Sequence, residues 1–262
     1  MTDTLRMMTM SMDDPYQVEE CMQRQLRKHH AELHARSAAL QSIADSAPAL
    51  GIVAEVIRTP SFPQSEFDRE KQNLLANLQQ LGYLTMTPIQ AASLPAALLG
   101  KDIIAQAKTG SGKTAAFALA LLANLNPRRF AVQSLVLCPT RELADQVSKE
   151  IRALARFIPN VKVLSLCGGI PLRPQLASLA HEPHIVVGTP GRIQELIDKE
   201  ALKLDALQSV ILDEADRMMD MGFLDAVKAI LKKTPNTRST WLFSATYPEE
   251  IRAISKQFQK NP

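Results

Sequence analysis

The sequence predicts an α/β fold with a mainly parallel β-sheet and helices on both faces, and two observations carry this prediction. Short apolar runs alternate along the chain with longer stretches of helical periodicity, which is the pattern of βαβ units. The runs are apolar almost throughout, as expected of parallel strands that are covered on both faces. The predicted strands are Asp102–Gln106, Ser134–Cys138, Val161–Leu166, His184–Val187, Val210–Leu212 and Thr240–Phe243.

A stretch of helical periodicity follows each predicted strand. These stretches lie near residues 113–125, 141–157, 172–180, 191–199, 221–233 and 248–258. In an open parallel sheet, ligands bind at the carboxyl ends of the strands. The residues that directly follow each apolar run are therefore the first candidates for chemistry.

Length and composition limit the class of protein. The chain has 262 residues, of which 46% are hydrophobic and 22% are charged, so it forms one large domain or one domain with an extension. This composition excludes wholesale disorder, a collagen-like fibre and a disulfide scaffold. The formal net charge is +3, with −2 in residues 1–60 and +5 in residues 61–262. A basic surface for phosphate-containing partners would therefore lie in the larger part.

Cysteine content and hydropathy predict the compartment. Three cysteines are too few for a disulfide framework, and an odd number fits a reducing environment. No apolar run approaches the ~20 residues of a membrane span, and no apolar signal segment follows the first residues. We expect a cytoplasmic monomer without a membrane partner.

The first sixty residues differ in character from the rest. Six of the ten methionines lie within the first 22 positions. One narrow helical stripe is present, but His29 and Arg36 interrupt it, so a coiled coil is only weakly supported. The stripe consists of Met22, Leu26, Leu33 and Leu40. We expect residues 1–60 to be a partly helical or disordered extension and residues 61–262 to be the folded domain.

A phosphate-binding loop follows the first predicted strand and precedes a predicted helix. Gly110 and Gly112 allow backbone N–H groups to surround phosphate oxygens at the start of the helix. The Lys113 ammonium is placed to reach the β- and γ-phosphates, and the Thr114 hydroxyl to ligate Mg²⁺. The loop begins with Ala107, where the strict pattern has glycine. The predicted nucleotide-binding residues here are Thr109, Gly110, Ser111, Gly112, Lys113 and Thr114.

An acidic cluster follows the fifth predicted strand. A carboxylate at this position, facing a phosphate loop, holds Mg²⁺ in P-loop enzymes, and Asp213 takes that role. Glu214 beside it is placed to orient or deprotonate an attacking water. Taken alone, the cluster is equally compatible with an acidic helix start that complements the helix dipole. Its position after a phosphate loop favours catalysis.

Two hydroxyl side chains follow the sixth predicted strand. Ser244 and Thr246 lie where they can hydrogen-bond the Asp216 carboxylate in the neighbouring loop. Taken alone this signal is weak, because hydroxyls at strand ends usually cap helices. We interpret the three residues as a coupling element beside the phosphate site.

These three motifs resemble motifs I, II and III of the DEAD-box ATP-dependent RNA helicases. The resemblance covers residues 62–262 and implies a RecA-like P-loop domain that binds ATP and Mg²⁺. Residues 82–90 resemble the family's Q motif, in which Gln90 would bond the adenine edge and Tyr83 would contact the nucleotide. An upstream aromatic residue would stack on the base, and the spacing leaves Phe62 and Phe67 as alternatives.

Three further motifs of the family are present in the expected order and imply an RNA path. Residues 139–144 resemble motif Ia, Gly168 and Gly169 the double-glycine motif, and residues 189–192 motif Ib. Backbone N–H groups, hydroxyls and two arginines at these places suit phosphate oxygens and carry no base sequence. The predicted RNA-binding residues are Thr140, Arg141, Gly168, Gly169, Thr189, Gly191 and Arg192.

The resemblance is strongest to the bacterial DbpA group, which is linked to ribosomal RNA. The stretches that carry it are residues 81–88 and 137–147. The family's second RecA-like domain brings transition-state arginines, and the sequence contains no counterpart of that arginine run. We therefore expect the ATP-binding half of an RNA helicase that hydrolyses ATP poorly alone. The alternatives are a truncated, non-catalytic module that binds ATP or RNA, and a DNA translocase of the wider superfamily, which Gln90 disfavours.

Overall fold

The computed structural model describes residues 86–156 and 158–262. The predictions that concern residues 1–60, Phe62, Phe67 and Tyr83 lie outside the described residues. The same is true of the predicted domain boundary near residue 61.

A six-stranded sheet forms the centre of the described part, and all its strand pairs are parallel. The strands lie in the order β1-β6-β5-β2-β4-β3. All six predicted strands are confirmed, with shifts of one or two residues at their ends. The strands are β1 Ile103–Gln106, β2 Ser134–Leu137, β3 Val163–Leu166, β4 Ile185–Gly188, β5 Ser209–Asp213 and β6 Ser239–Ser244.

Eight helices connect the strands or flank them within the described residues. The helices are α1 Pro88–Leu98, α2 Lys113–Asn124, α3 Arg141–Leu154, α4 Leu172–Leu179, α5 Pro190–Asp198, α6 Ala215–Asp220, α7 Leu224–Lys232 and α8 Glu249–Phe258. The sequence did not predict two of them. Pro95 lies inside α1 and obscures its periodicity, and α6 has six residues, which is too short to show one.

The core lies on both sides of the sheet, as the apolar runs require. Strands β2, β4, β5 and β6 are buried along their whole length. On one face, Phe117 of α2 packs against Phe243 of β6, with ring centroids 5.4 Å apart in a tilted arrangement. Within the described residues, no helix is both long and apolar enough to cross a membrane.

Strand order brings the candidate residues to one edge of the sheet. β6 lies between β1 and β5, and all three run in the same direction. The loops that follow β1, β5 and β6 therefore leave the sheet side by side. These loops carry the phosphate-binding residues, the acidic cluster and the two coupling hydroxyls.

Candidate functional site

The loop between β1 and α2 has the backbone geometry of a phosphate cradle. Gly110 and Gly112 have φ values of +81° and +87°, in the left-handed region that favours glycine. A Cβ at Gly112 would lie 2.7 Å from Nε2 of Gln90 and 3.1 Å from Oγ1 of Thr87. Gly112 is therefore needed both for its conformation and for the close approach of α1 to the loop.

Lys113 and Asp213 face each other in a buried site. The Lys113 Nζ atom lies 3.9 Å from Oδ1 of Asp213, which is too far for a hydrogen bond. Within the described residues, Ser111 Oγ, Lys113 Nζ and Asp213 Oδ1 are buried and have no hydrogen-bond partner. Buried polar atoms normally have hydrogen-bond partners, so these three atoms fit a polar ligand such as a nucleoside triphosphate with its cation.

Burial also controls the charge of Asp213. It raises the pKa of this carboxyl to about 6, and the Glu214 charge adds to the rise while the Lys113 ammonium opposes it. A divalent cation at this place would favour the ionised form. No group of three His, Cys, Asp or Glu side chains within the described residues is arranged to hold a metal alone. Such a site suits Mg²⁺, which is commonly held by one carboxylate, a hydroxyl and substrate phosphates.

Glu214 is held in a strained position beside the phosphate loop. Its backbone has φ +52° and ψ +53°, which is uncommon for a residue with a side chain. The Thr109 hydroxyl donates to Oε1 at 3.0 Å, and Nη1 of Arg217 donates to Oε2 at 3.0 Å. The carboxylate is thus oriented from both sides while lying directly after the buried Asp213.

The predicted coupling residues Asp216, Ser244 and Thr246 are joined by hydrogen bonds, but Ser244 bonds the backbone of Asp216. The Thr246 hydroxyl and backbone N–H both donate to Oδ2 of Asp216 at 2.8 Å. Ser244, in contrast, accepts a hydrogen bond from the Asp216 backbone N–H at 3.0 Å. Partial burial raises the pKa of Asp216, but hydrogen bonds from Thr246, Ser244 and Arg217 together outweigh it and the pKa lies below its usual value. Asp216 is therefore an ionised link between the loops after β5 and β6.

Gln90 lies against the phosphate loop. Its Nε2 donates to the Gly112 carbonyl at 3.1 Å, and its Oε1 accepts from the Thr87 N–H at 3.0 Å. A glutamine amide has two donors and two acceptor positions, so one of each remains for an adenine edge. The buried Thr87 hydroxyl beside it has no hydrogen-bond partner in the described part of the chain.

A second group of predicted residues lies around the ends of β2, β3 and β4. Thr140 caps α3 by accepting from the Leu143 N–H at 3.2 Å. Thr189 does not cap its own helix α5, because its hydroxyl accepts from the Gly168 N–H at 3.3 Å. The first N–H groups of α5, which include that of Gly191, therefore point out of the helix start without a side-chain cap.

The two arginines predicted to contact RNA have different surroundings. Arg141 is exposed, and its Nη1 lies 2.8 Å from the position that a Cβ of Gly169 would occupy. Gly169 itself has φ +74°. The Arg192 side chain is only 10% exposed, and its guanidinium contacts other parts of the protein.

Four residues with no role predicted from the sequence take part in these contacts. Thr87 lies beside Gln90, Arg217 orients Glu214, and Nε2 of Gln106 donates to the Ala245 carbonyl at 3.1 Å. The fourth is Gln175, which contacts Arg192. Gln106 directly precedes the phosphate loop and Arg217 directly follows Asp216, so their positions in the sequence could have indicated a role in the site. Gln175 lies inside a helix, and the sequence pattern gives no indication of its contacts.

Comparison with known proteins finds one matching family and several relatives. The family model for DEAD/DEAH box helicases matches residues 87–254. The ATP-dependent RNA helicase DbpA of Escherichia coli K12 is 59% identical over 188 residues, which are 72% of this chain and 41% of the relative. The DEAD-box ATP-dependent RNA helicase CshA of Bacillus cereus is 46% identical over 190 residues, which are 72% of this chain and 36% of the relative.

Solved structures show the same fold. A DEAD box protein from Methanococcus jannaschii superposes with a TM-score of 0.69 at 38% identity, over 78% of this chain and 54% of that chain. A hypothetical ATP-dependent RNA helicase from Sulfolobus tokodaii gives a TM-score of 0.67 at 41% identity, over 72% and 55%. The chain thus spans about two fifths of the length of the curated relatives that it matches.

Proposed function

The chain belongs to the DEAD/DEAH box helicase family, and from this premise we propose that it is the ATP-binding half of an ATP-dependent RNA helicase. One observation supports this most strongly. Lys113 Nζ and Asp213 Oδ1 lie 3.9 Å apart at the start of α2, and both atoms, like Ser111 Oγ in the adjoining left-handed glycine loop, are buried without a hydrogen-bond partner in the described part of the chain. A nucleoside triphosphate supplies the oxygens and the negative charge that these buried groups need as partners.

In the proposed reaction, this chain binds, orients and polarises ATP. The Lys113 ammonium and the loop N–H groups neutralise the β- and γ-phosphates. Asp213 and Thr114 would hold Mg²⁺, which, when bound, would offset charge that develops on the transferred phosphoryl group. Glu214 would accept a proton from the attacking water, and its two hydrogen bonds keep the carboxylate aimed at the phosphate loop.

The loops after β5 and β6 are placed to connect nucleotide state with RNA remodelling. Asp216 bonds Ser244 and Thr246, and the Ala107 N–H of the phosphate loop donates to the Ser244 carbonyl at 2.9 Å. Gln106 adds the bond to Ala245. A movement of the phosphate loop on hydrolysis is thereby transmitted to the loop after β6 through direct hydrogen bonds.

We propose that RNA lies along the ends of β2, β3 and β4. The groups available there are backbone N–H groups at Gly169 and Gly191, the Thr140 and Thr189 hydroxyls, and the exposed Arg141. All of these suit phosphate oxygens, so binding would be independent of base sequence. The similarity to the ATP-dependent RNA helicase DbpA supports RNA as the substrate class. The resemblance of residues 81–88 and 137–147 to the DbpA group motivates the narrower proposal of ribosomal RNA, and the odd, small number of cysteines motivates the proposal of a reducing compartment such as the cytoplasm.

An ATPase assay separates this function from that of a non-catalytic binding module. Hydrolysis is measured with and without single-stranded RNA, first on this chain and then on the chain joined to a second RecA-like domain of the family. We expect weak hydrolysis by the chain and RNA-stimulated hydrolysis by the joined protein. Nucleotide and RNA binding without stimulated turnover in the joined protein would contradict catalysis and favour the binding module. Equal stimulation by DNA would favour a DNA translocase.

A further inference from the structure

We propose that Gln175 and Arg192 are positioning residues that hold the double-glycine loop (residues 167–171) in the shape that binds an RNA phosphate. In this proposal Arg192 does not act as a charge that contacts RNA. The inference rests on the proposed RNA-binding function and concerns the same surface.

Gln175 holds the start of the double-glycine loop. It projects from α4, directly after the loop, and only 6% of the residue is exposed. Its Nε2 donates to the Cys167 carbonyl at 3.0 Å, and its Oε1 accepts from Nη1 of Arg192 at 2.9 Å. The amide therefore bonds the residue before the two glycines and an arginine of α5 at the same time.

Arg192 holds the other end of the loop. Its Nη2 donates to the Ile170 carbonyl at 3.0 Å, directly after the glycine pair. Its Nε lies 3.1 Å from Oε2 of Glu195, an ion pair in which the N–H is not aligned for a hydrogen bond. Each of the three guanidinium nitrogens thus has a protein partner. A side chain so engaged and so little exposed is poorly placed to offer charge to a phosphate.

The remaining contact acts on the glycines themselves. The Gly168 N–H donates to the Thr189 hydroxyl at the start of α5, at 3.3 Å. Within the described residues, no protein group accepts a hydrogen bond from the N–H of Gly169, which has φ +74°. The loop is therefore bonded to α4 and α5 on both sides of the glycine pair, while the donor between them stays available. Preorganised donors of this kind bind an anion without first losing conformational freedom.

The conservative variant Arg192→Lys distinguishes positioning from charge. Lysine keeps the positive charge but cannot bond Gln175 and Ile170 at once, because it lacks the planar fork of arginine. Gln175→Met removes both amide bonds and keeps the length of the side chain. We expect each variant to weaken binding of a labelled single-stranded uridine oligomer by about tenfold. The double variant should bind no more weakly than the single ones, because both act on one loop.

The salt dependence of RNA binding distinguishes a residue that contacts a phosphate by charge from one that acts only through other groups of the protein. On a single strand, a residue that contacts a phosphate by charge contributes about 0.7 to the slope of log affinity against log salt concentration. We expect Arg192→Lys, Arg192→Gln and Gln175→Met to keep the wild-type slope. Arg173→Lys, at an exposed arginine two residues from Gln175 on α4, is the matched control and should keep wild-type affinity. ATP affinity should be unchanged in all four variants, which reports an intact fold.

Hydrogen exchange of the chain without RNA tests the contacts separately. The backbone N–H of Gly168 should exchange faster in Arg192→Lys and Gln175→Met than in the wild type, and at the wild-type rate in Arg173→Lys. Wild-type RNA affinity in Arg192→Lys together with a smaller slope in Arg192→Gln would overturn the inference. Unchanged exchange at Gly168 would overturn it as well. A wild-type chain that fails to bind RNA would instead contradict the proposed function, and the exchange experiment would still decide the contacts.

Discussion

The Thr109 hydroxyl donates a 3.0 Å hydrogen bond to the Glu214 carboxylate, which joins the phosphate loop after β1 to the acidic cluster after β5. The two residues are 105 positions apart in sequence and follow two strands, β1 and β5, that are separated only by β6. Arg217 holds the other carboxylate oxygen, so the direction of Glu214 is set by partners on two elements. A carboxylate oriented in this way next to a phosphate site is suited to act as a base.

Glu214→Gln should separate nucleotide binding from hydrolysis. The amide keeps the shape of the side chain and one acceptor for Thr109, but loses the basic oxygen. We expect the ATP dissociation constant to stay within about threefold of wild type. Turnover in the joined two-domain protein should fall by about 10²–10⁴. The control Arg217→Met removes a partner and keeps the carboxylate, so it should retain most of the turnover. Wild-type turnover by Glu214→Gln would show that another group is the base.

Lys113→Ala should remove the affinity that depends on phosphates. The Lys113 ammonium is buried and has no hydrogen-bond partner in the described part of the chain, so it is available to a ligand. Charge-assisted hydrogen bonds contribute about 1.5–3 kcal/mol each, so ATP affinity should fall by about 10–100-fold or more. Calorimetric titration with ATP measures this. Lys108→Ala, at an exposed lysine of the same loop, is the control and should keep most of the affinity.

Ser244→Ala and Thr246→Val should affect stability and coupling but not ATP binding. Ser244→Ala leaves the partly buried Asp216 N–H without its acceptor and should lower the free energy of unfolding by about 1–2 kcal/mol. Thr246→Val should cost less, because the Thr246 N–H still bonds Asp216. Urea unfolding and ATP titration of both variants test this. A loss of ATP affinity equal to that of Lys113→Ala would place these residues in the binding site itself.

His184 should make the stability of the domain depend on pH. Its Nδ1 accepts from the Lys162 N–H at 3.1 Å and its Nε2 lies 3.1 Å from the Pro127 carbonyl, so the neutral ring satisfies both. Burial, aided by the Lys162 charge, lowers the pKa of His184 despite the opposing hydrogen bond to Pro127. Below about pH 6.5 the unfolded chain takes up a proton that the folded protein resists, so the free energy of unfolding falls as pH falls.

The comparison of urea unfolding at pH 7.5 and pH 5.5 measures this contribution. The wild type should lose more stability over this range than His184→Gln, by at most about 1.4 kcal/mol per pH unit. The exposed His181 provides a matched variant, His181→Gln, which should behave as the wild type. Parallel losses in the wild type and His184→Gln would show that His184 is not responsible.

The sheet could be predicted from the sequence because its strands are buried on both faces. A run such as Leu135–Cys138 has to be apolar throughout, and this signal does not depend on distant residues. Helix α6 could not be predicted, because it begins directly after the strained Glu214 and ends after six residues. Its existence depends on the contacts of the acidic cluster with neighbouring loops, which local periodicity does not contain.

The site was predictable where a motif places chemistry directly after a strand, as for Lys113 and Asp213. The contacts of Arg192 were not, because nothing in its local sequence indicates that Gln175 from a different helix accepts a hydrogen bond from its guanidinium. The position of Ser244 was predicted, but the direction of its hydrogen bond was not. Contacts between side chains and backbone groups of other elements depend on the packed structure and leave no pattern in a single sequence.

Selectivity for adenine tests the nucleotide site most directly. Gln90 has one amide hydrogen and one acceptor position left after bonding Gly112 and Thr87, a combination that matches adenine and opposes the reversed pattern of guanine. Calorimetric titration of the chain with ATP and GTP in the presence of Mg²⁺ is the measurement, and Gln90→Met is the matched variant. We predict that GTP binds at least about tenfold more weakly than ATP and that Gln90→Met narrows this difference. Equal affinity of the wild-type chain for ATP and GTP, or no binding of either, would contradict an ATP-binding helicase domain.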